Sequence, residues 1–358
     1  MAVAFLPTLA RGLRHPLTAP PRAVGRCAPR LVGAPATVSR RRLAATPPRM
    51  ALRVTPVPTL SDNYAYLITD TVARKAVAVD PAQPARVLAA AAAAGVAITE
   101  VWCTHRHPDH SAGNEALVAA LARAPAAADA AAAVAVVASG VERDGIPVPG
   151  TTVSIRDGAA GRVAGTAIGW EAIHTPGHTD GHMCFVVRDV SVPAAAVDVD
   201  GLGADAPPVT VGEGGEAVVV VPALFSGDAL FLGGCGRLFD GTPAQALASL
   251  DRLVAALPPA TAVFCGHEYT ETNLRFAAAV EPRSAAVAAA ADRVRAVLGD
   301  APWGDARRGT SVPGWMGVEA GVNPFLRVRE PTVAAAVGKE GGDAATVMGA
   351  LRRWKDRF

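Results

Sequence analysis

Cysteine is scarce in this sequence, with five residues in 358, and no two of them are spaced as a C-x-x-C pair. Small domains that depend on disulfides carry more cysteines, arranged as a framework. The scarcity therefore excludes a disulfide scaffold and predicts buried, reduced thiols in a reducing compartment. The five residues are Cys27, Cys103, Cys184, Cys235 and Cys265.

Long apolar runs are missing as well. Although 51% of the residues are hydrophobic, no stretch of about 18 or more is free of glycine, proline and charge, which excludes a transmembrane helix. The alanine-rich segments Val87–Ala97 and Ala126–Ala138 are typical of helices or surface insertions. A chain of this length and apolar content can bury a large core and form two domains.

The first 49 residues lack lysine and acidic side chains altogether but contain nine arginines. This composition predicts an organellar transit peptide over residues 1–49, and the low serine content favours a mitochondrial over a chloroplast destination. A basic arm that stays attached is the alternative. Met50 can also begin a shorter, cytosolic form.

Removal of that segment reverses the sign of the net charge. The chain has 34 basic and 32 acidic residues, so loss of the nine arginines leaves 25 basic residues against 32 acidic ones, a net charge of −7. An acidic balance gives no support to nucleic-acid binding. We expect a monomer whose partner is a small molecule, with no membrane or nucleic-acid partner.

Histidine is also used sparingly, and its positions are clustered. Apart from His15, all the histidines lie in three short polar segments, which indicates metal chemistry rather than scattered surface residues. They are His105, His107 and His110 in the first segment, His174, His178 and His182 in the second, and His267 in the third.

Short apolar segments lead into these polar ones. The pattern predicts strands at 98–103, 167–173, 218–225 and 261–265, each followed by a polar loop, so that one end of the strands collects side chains from distant parts of the chain. Residues 50–269 are thus expected to form a catalytic domain. The helical pattern that follows predicts a smaller C-terminal domain over residues 270–358. Residues 124–135 and 189–216 are typical of insertions.

The first polar segment offers four ligands in six residues, from His105 to His110. On a loop backbone, His105 and His107 can converge on one ion while Asp109 and His110 point toward a second, and two such ions can share one water. The alternative interpretation is a solvated polar loop.

The other polar segments complete the set of candidate ligands. His178 lies between glycine turns and is the expected ligand, whereas His174 and His182 are expected to orient neighbours. Asp228 follows a strongly apolar strand; a lone aspartate there is usually a cap, but a two-metal site needs a bridging carboxylate. His267 follows another apolar strand and completes the second ion's shell.

This order of ligands resembles the metallo-β-lactamase superfamily, whose pattern is H-x-H-x-D-H followed by His, Asp and His. The resemblance implies an α+β fold, a four-layer αβ/βα sandwich with a smaller C-terminal helical domain. It also implies two divalent metal ions, with zinc favoured and iron or manganese as alternatives. One ion would be held by His105, His107 and His178, the other by Asp109, His110 and His267, with Asp228 as the bridge.

Further stretches of the chain resemble one family of that superfamily, the hydroxyacylglutathione hydrolases, also called glyoxalase II. The resemblance implies hydrolysis of (S)-lactoylglutathione to D-lactate and glutathione, the second step of methylglyoxal detoxification. A metal-bridging hydroxide would attack the thioester, with Asp109 and Asp228 as the catalytic carboxylates. The matching stretches are Ser61–Tyr64, Asp228–Gly241, Gly266–Thr270, Asn273–Phe276, Val280–Pro282, Asn323–Arg327 and Leu351–Phe358.

Glutathione is an anionic tripeptide, so its pocket should carry cations. The resemblance implies substrate contacts from Arg237, Phe239, Tyr269, Arg352 and Lys355. Arg237 stands where the family often has lysine, and Phe239 where it often has tyrosine, so that a hydroxyl is lost. Arg352 and Lys355 are neighbours on one helical face. The alternatives are favourable charge at a helix C-terminus for this pair and core packing for Tyr269.

Two other functions fit part of this pattern. A persulfide dioxygenase of the same superfamily, with one iron, would not require the second set of ligands, which is complete here. A non-catalytic metal-binding protein would need only the four ligands of a closed zinc site.

Overall fold

The fold is described from a computed structural model, which describes residues 52–123, 133–140, 145–212 and 214–358. The expected transit peptide, 1–49, lies outside the described residues. So does most of the expected insertion at 124–135.

Strands dominate the first three quarters of the described chain. They are β1 (Leu52–Thr59), β2 (Asn63–Asp70), β3 (Lys75–Val79), β4 (Ala97–Trp102), β5 (Ala135–Ser139), β6 (Val153–Ile155), β7 (Ala160–Arg162), β8 (Gly169–His174), β9 (Met183–Pro193), β10 (Thr210–Val211), β11 (Ala217–Gly227), β12 (Ala262–Cys265) and β13 (Gly314–Trp315).

These strands form one mixed hydrogen-bonded network. Its order is β13-β12-β11-β9-β1-β2-β3-β4-β5-β6, while β8 also pairs with β9 and carries β7, and β10 pairs with β11. The pairs β3–β4, β4–β5, β5–β6 and β11–β12 are parallel. Parallel pairs need crossover connections and layers that cover both faces.

Strand β2 shows why both faces are covered. Its side chains alternate between two faces, and all eight residues are buried. Tyr64 and Tyr66 join the larger core, which reaches helices near the C-terminus, whereas Ala65 and Leu67 join a second core with Val87. The sheet therefore lies between layers, as the expected α+β sandwich requires.

Helices supply the outer layers. Within the described ranges, no helix is both long and apolar enough to cross a membrane. The helices are α1 (Pro84–Ala94), α2 (Pro108–Ser111), α3 (Asn114–Ala122), α4 (Val199–Leu202), α5 (Pro243–Ala256), α6 (Thr270–Val280), α7 (Ala285–Leu298), α8 (Met316–Val322), α9 (Pro331–Ala336) and α10 (Ala344–Lys355).

The C-terminal region is helical, as expected, but it is joined to the sheet. Strand β13 pairs with β12 at Ala262↔Trp315, so the segment 299–321, which has a loop-like composition, contains a strand and most of α8. The described residues from Leu52 onward belong to one compact unit. The boundary at 269/270 stays a prediction.

The segment 189–216 is anchored to the protein rather than extending freely from it. Strand β9 runs to Pro193, and the next residues pack back on the C-terminal region. Trp315 Nε1 donates to the carbonyl of Ala196 at 3.0 Å, Asp198 pairs with Arg293, and Leu202 is buried. This segment therefore links β9 and β11 to α7 and β13.

Candidate metal centre

The ends of several strands bring the polar segments together. Strands β11 and β12 are parallel, so Asp228 and His267 leave the sheet at the same edge. Strands β3 and β4 are also parallel, which places Asp80 beside the start of the first histidine segment. The loop between β8 and β9 adds His178. The expectation that one edge of the scaffold collects these residues is met.

Two glycines allow this close approach. Gly227 has φ +46°, and a Cβ there would lie 2.6 Å from Thr104 Oγ1 and 2.7 Å from His182 Nε2. A Cβ at Gly266 would lie 2.3 Å from Asp228 Oδ1. Real Cβ atoms cannot come this near, so a side chain at either position would push the strand ends apart.

Three imidazoles form the first group. His105 Nε2 lies 3.0 Å from His107 Nδ1, and His178 Nε2 lies 2.9 Å from the same atom. Within each group, all the candidate ligand atoms lie within 4.8 Å of one another. Three nitrogens that face one another at this spacing can surround a single ion.

The second group contains a carboxylate and two imidazoles. His110 Nε2 lies 3.2 Å from His267 Nε2, and Asp109 Oδ2 lies 3.3 Å from His267 Nε2. Both groups match the sets implied by the superfamily resemblance. The ligand roles themselves stay a prediction.

Asp228 lies between the two groups. Its Oδ2 is 3.4 Å from His178 Nε2 and 3.4 Å from His267 Nε2, while Oδ1 is 3.3 Å from His110 Nε2. Oδ1 is buried without a hydrogen-bond partner. A buried carboxylate with one oxygen that faces imidazoles of both groups and another that lacks a partner has the position of a shared ligand.

The outward nitrogens of the imidazoles are held by acceptors. His267 Nδ1 lies 2.8 Å from Asp62 Oδ1, His110 Nδ1 lies 3.0 Å from Asp80 Oδ2, and His178 Nδ1 lies 2.8 Å from the carbonyl of Arg237. These partners can only accept, so each Nδ1 carries a proton and Nε2 is the nitrogen that faces the centre. In these three rings Nε2 is therefore the atom available to bind a metal.

The charges around the centre also fit cations. Although burial lowers it, the pKa of His267 is raised by the carboxylates of Asp228, Asp109 and Asp62. Burial lowers the pKa of His178 to about 4, so that ring is neutral at neutral pH. Burial opposes ionisation of Asp228, but the charges of His110 and His267 outweigh it and hold its pKa below the usual range. The residues present therefore fit two divalent ions.

The two remaining histidines of the second segment lie behind the centre. His182 Nε2 accepts a 3.1 Å hydrogen bond from the backbone N–H of Asp228, and its Nδ1 lies 2.8 Å from Thr175 Oγ1. His174 Nε2 is 2.7 Å from the carbonyl of Asp180. Both hold their neighbours, as expected.

A cavity of about 620 Å³ opens over the centre. Its lining includes five candidate ligands together with all five residues expected to contact glutathione. The ligands are His107, Asp109, His178, Asp228 and His267, and the expected substrate contacts are Arg237, Phe239, Tyr269, Arg352 and Lys355. Tyr269 stacks on the ring of His267 at 4.6 Å, and the exposed ring of Phe239 lies 5.2 Å from His107.

Three cationic side chains line the cavity, and they differ in how far protein groups already occupy their charges. They are Arg237, Arg352 and Lys355. Arg237 is exposed, with Nε 3.5 Å from Asp356 Oδ1. Lys355 Nζ lies over the rings of Phe276 and Phe358. Arg352 is only 7% exposed, and its guanidinium is taken up by protein groups, so the structure places it behind the wall more than at its surface.

Several supporting residues escaped sequence reasoning. Asp80 accepts from Thr104 N at 2.8 Å and from Thr104 Oγ1 at 2.7 Å, besides facing His110. Asn63 donates to Asp109 Oδ2 at 3.0 Å. One signal was available for Asp80: like Asp228, it directly follows an apolar strand, here β3.

Comparisons with known proteins agree with this geometry. Residues 59–192 match the family described as metallo-beta-lactamase superfamily, and residues 268–358 match the hydroxyacylglutathione hydrolase C-terminus. Relatives named hydroxyacylglutathione hydrolase include one from Cupriavidus taiwanensis, 42% identical over 86% of this chain and 99% of the relative. Another, from Cupriavidus metallidurans, is 40% identical over the same shares.

The chain belongs to the hydroxyacylglutathione hydrolase family. A solved structure, ETHE1 from Myxococcus xanthus, aligns with 84% of this family member and 90% of its own chain at a TM-score of 0.50 and 21% identity, which shows the fold alone. The expected family and metallo-β-lactamase fold are confirmed, and so is the C-terminal helical region that hydroxyacylglutathione hydrolases carry.

Proposed function

We propose that this chain hydrolyses the thioester of (S)-lactoylglutathione and releases D-lactate and glutathione. One observation carries the proposal: Asp228 lies between two groups of candidate ligands, in a cavity that is also lined by Arg237, Arg352 and Lys355. Family membership at 42% identity supports the same reaction. A cavity of this size is in the range that encloses a small-molecule substrate.

The seven ligands divide between two divalent ions, with zinc favoured and iron or manganese as alternatives. When bound, the ions supply a water of lowered pKa and a Lewis acid for the thioester carbonyl. His105, His107 and His178 would hold one ion, Asp109, His110 and His267 would hold the other, and Asp228, which lies between the two groups, would serve both.

The protein's own part begins with orientation. Asp62 and Asp80 keep the protons of His267 and His110 on Nδ1 and so aim both Nε2 atoms at the centre. Asn63 holds Asp109 Oδ2. The Asp109 side chain is 41% exposed and lines the cavity, so it is placed to accept a hydrogen bond from the attacking water.

The substrate-contact residues of the cavity lining bind the tripeptide. Arg237 and Lys355 offer positive charge to its carboxylates, and Tyr269 offers a hydroxyl beside the reacting end. Phe239 contributes packing only. The leaving thiol has a pKa of roughly 8.5 and departs as thiolate, so the proposal requires no dedicated acid.

The test is loss of thioester from lactoylglutathione by the purified full-length chain, together with metal analysis. We expect hydrolysis with two divalent ions per chain, and its loss in Asp228→Asn but not in the matched control Asp251→Asn, whose side chain on α5 is 44% exposed. Two bound ions without hydrolysis would contradict the substrate assignment. Oxygen uptake with glutathione persulfide would favour the dioxygenase instead.

We further propose that residues 1–49 direct the protein to mitochondria and that the enzyme is a monomer. The nine arginines and the lack of acid in that segment support the first proposal. A fluorescent fusion of residues 1–49 tests the destination, with a fusion beginning at Met50 as the control. Chloroplast import or cytosolic retention of the longer fusion would contradict it.

A further inference from the structure

Asp240 lies where three loops of the site meet. Its Oδ2 accepts a 2.8 Å hydrogen bond from Arg106 Nη2 and a 3.2 Å hydrogen bond from the backbone N–H of Asp180. Arg106 stands between two candidate ligands of the first segment, Asp180 follows His178 in the second, and Asp240 belongs to the loop Cys235–Gly241. One carboxylate therefore joins both ligand loops to the 235–241 loop.

The ion pair lies in a partly buried position. The side chains of Arg106 and Asp240 are 22% and 14% exposed, so water screens their charges less than it screens a surface pair. Their positions are also constrained from the backbone, because Ser111 Oγ donates to the carbonyl of Arg106 at 3.0 Å. A pair held in this way fixes a distance between loops as well as contributing attraction.

Backbone hydrogen bonds beside Asp240 show which part of the 235–241 loop the Arg106–Asp240 ion pair holds in place. The N–H of Phe239 donates to the carbonyl of His178 at 3.2 Å, and the N–H of Gly241 donates to that of Gly177 at 3.1 Å. The other end of the 235–241 loop is fastened separately, by Arg352 on the carbonyl of Cys235. Asp240 thus anchors the half of the loop that carries Phe239.

That half of the loop forms part of the cavity wall. The Phe239 ring lies 5.2 Å from His107 and 5.3 Å from His178, and Arg237 lines the same wall. The ligand rings keep other supports: Asp62 and Asp80 hold His267 and His110. The carbonyl that holds His178 belongs to Arg237, next to Gly236 at the end of the loop that Arg352 fastens. A displaced loop would therefore disturb the tripeptide end of the cavity more than the metal end.

We infer that Arg106 and Asp240 are positioning residues that fix the 235–241 loop against the ligand loops and thereby set the affinity for the glutathione half of the substrate. The inference deepens the proposed function and rests on it. It assigns no contact with the reacting atoms to either residue.

The test compares two thioesters in the full-length enzyme loaded with metal. Asp240→Asn removes charge with little change of volume, and Arg106→Gln removes charge while it keeps a polar side chain. We expect each to raise KM for lactoylglutathione by about three- to tenfold with kcat within about twofold. S-Lactoyl-N-acetylcysteamine, which lacks the tripeptide carboxylates, should keep its kcat/KM, and the metal content should not change.

A double variant and two controls sharpen the result. Because the partners act as one unit, the double variant should raise KM no further than either single variant, and Arg106→Lys should recover part of the affinity. Asp251→Asn breaks an exposed ion pair with Arg329 and should leave KM unchanged. An equal loss for both thioesters, loss of metal, or additive effects would overturn the inference. A wild-type enzyme without activity on lactoylglutathione would instead overturn the proposed function.

Discussion

Arg352 Nη1 donates a 2.7 Å hydrogen bond to the carbonyl oxygen of Cys235. This bond ties the last helix, α10, to the start of the 235–241 loop. The rest of the guanidinium is also occupied, since Nε and Nη2 each lie 3.1 Å from Asp356 Oδ1 and the group lies over the ring of Phe325. Arg352 therefore supports the cavity wall to which it also contributes.

Replacement of Arg352 should destabilise the protein as well as weaken substrate binding. Arg352→Met leaves a buried carbonyl without its charged donor, which costs about 2–3 kcal/mol. Arg352→Lys should recover little of this, because an ammonium group cannot reproduce the fork of bonds. Urea unfolding of the metal-loaded enzyme measures the free energy, with exposed Arg329→Met as the control. Full recovery by lysine would show that charge alone matters.

Lys355 should make substrate binding sensitive to pH. Burial, helped by the positive charges of Arg352 and Arg275, lowers the pKa of Lys355 to about 8. The cation is present below that pH and is lost above it, so kcat/KM for the anionic substrate should fall by about three- to tenfold as pH rises through 8. The measurement is a pH profile of kcat/KM from pH 6 to 10.

The control for this profile is Lys355→Arg, which keeps its charge throughout the range. The fall near pH 8 should move to higher pH or disappear. Persistence of the same fall in the arginine variant would assign it to another group, such as the amine of the substrate.

Glu319 should give the fold a pH dependence of its own. It is 4% exposed, accepts from Gly233 N at 2.7 Å and from Asn323 Nδ2 at 3.0 Å, and burial raises its pKa to about 7. In the unfolded chain the Glu319 carboxyl loses its proton near pH 4.5. Between pH 4.5 and 7 the folded state therefore binds more protons than the unfolded state. The contribution of Glu319 to the free energy of unfolding is complete below pH 4.5 and is lost as pH rises through 7.

Glu319→Gln should therefore gain stability relative to the wild type as pH rises. The difference in free energy of unfolding between the variant and the wild type should approach a plateau above pH 7, of the order of 3 kcal/mol. This value applies when the glutamine amide oxygen still accepts from Gly233 N. Thermal unfolding at pH 5 and pH 8 measures it, with the exposed Glu271→Gln as the matched control. A difference that is independent of pH would contradict the assignment.

Asp80 should act on metal affinity without touching a metal. Its carboxylate holds Thr104 through two hydrogen bonds and faces His110 Nδ1 at 3.0 Å. Asp80→Asn replaces one acceptor with a donor, so the His110 ring loses its orientation, and zinc affinity should fall about 10- to 100-fold. Competition with a chromophoric chelator measures the affinity, and Asp251→Asn should retain it. An unchanged affinity would leave Asp80 with a purely structural role.

The sequence revealed the centre because its ligands are rare and lie at strand ends. His105, His178 and His267 each belong to a short polar segment after an apolar one, and parallel strands bring such segments to one edge. Neither Asp80 nor Asp62 is marked by a rare residue type in this way. Each is a single acidic residue at a turn, and its partner lies 30 or 205 positions away, so only the folded chain shows the pairing.

Side-chain burial was harder to predict than position. The i, i+3 spacing of Arg352 and Lys355 predicts two similar cations on one face, and both do line the cavity. Arg352 is nevertheless buried because the 235–241 loop covers it, a contact across more than a hundred residues. Helical periodicity carries no information about which loop covers a helix, so the distinction between a binding cation and a supporting one required the structure.

Asp109 tests the proposed chemistry most directly. A hydrogen bond with His267 lowers its pKa, with burial acting in the opposite sense, so the carboxylate is ionised at neutral pH and can accept from the attacking water. Asp109→Asn keeps an oxygen for ligation but loses most of that basicity, and kcat should fall about 100-fold. Metal content must be measured in the same sample, with Asp251→Asn alongside. An unchanged kcat at full metal occupancy would remove Asp109 from proton handling and leave it as a ligand only.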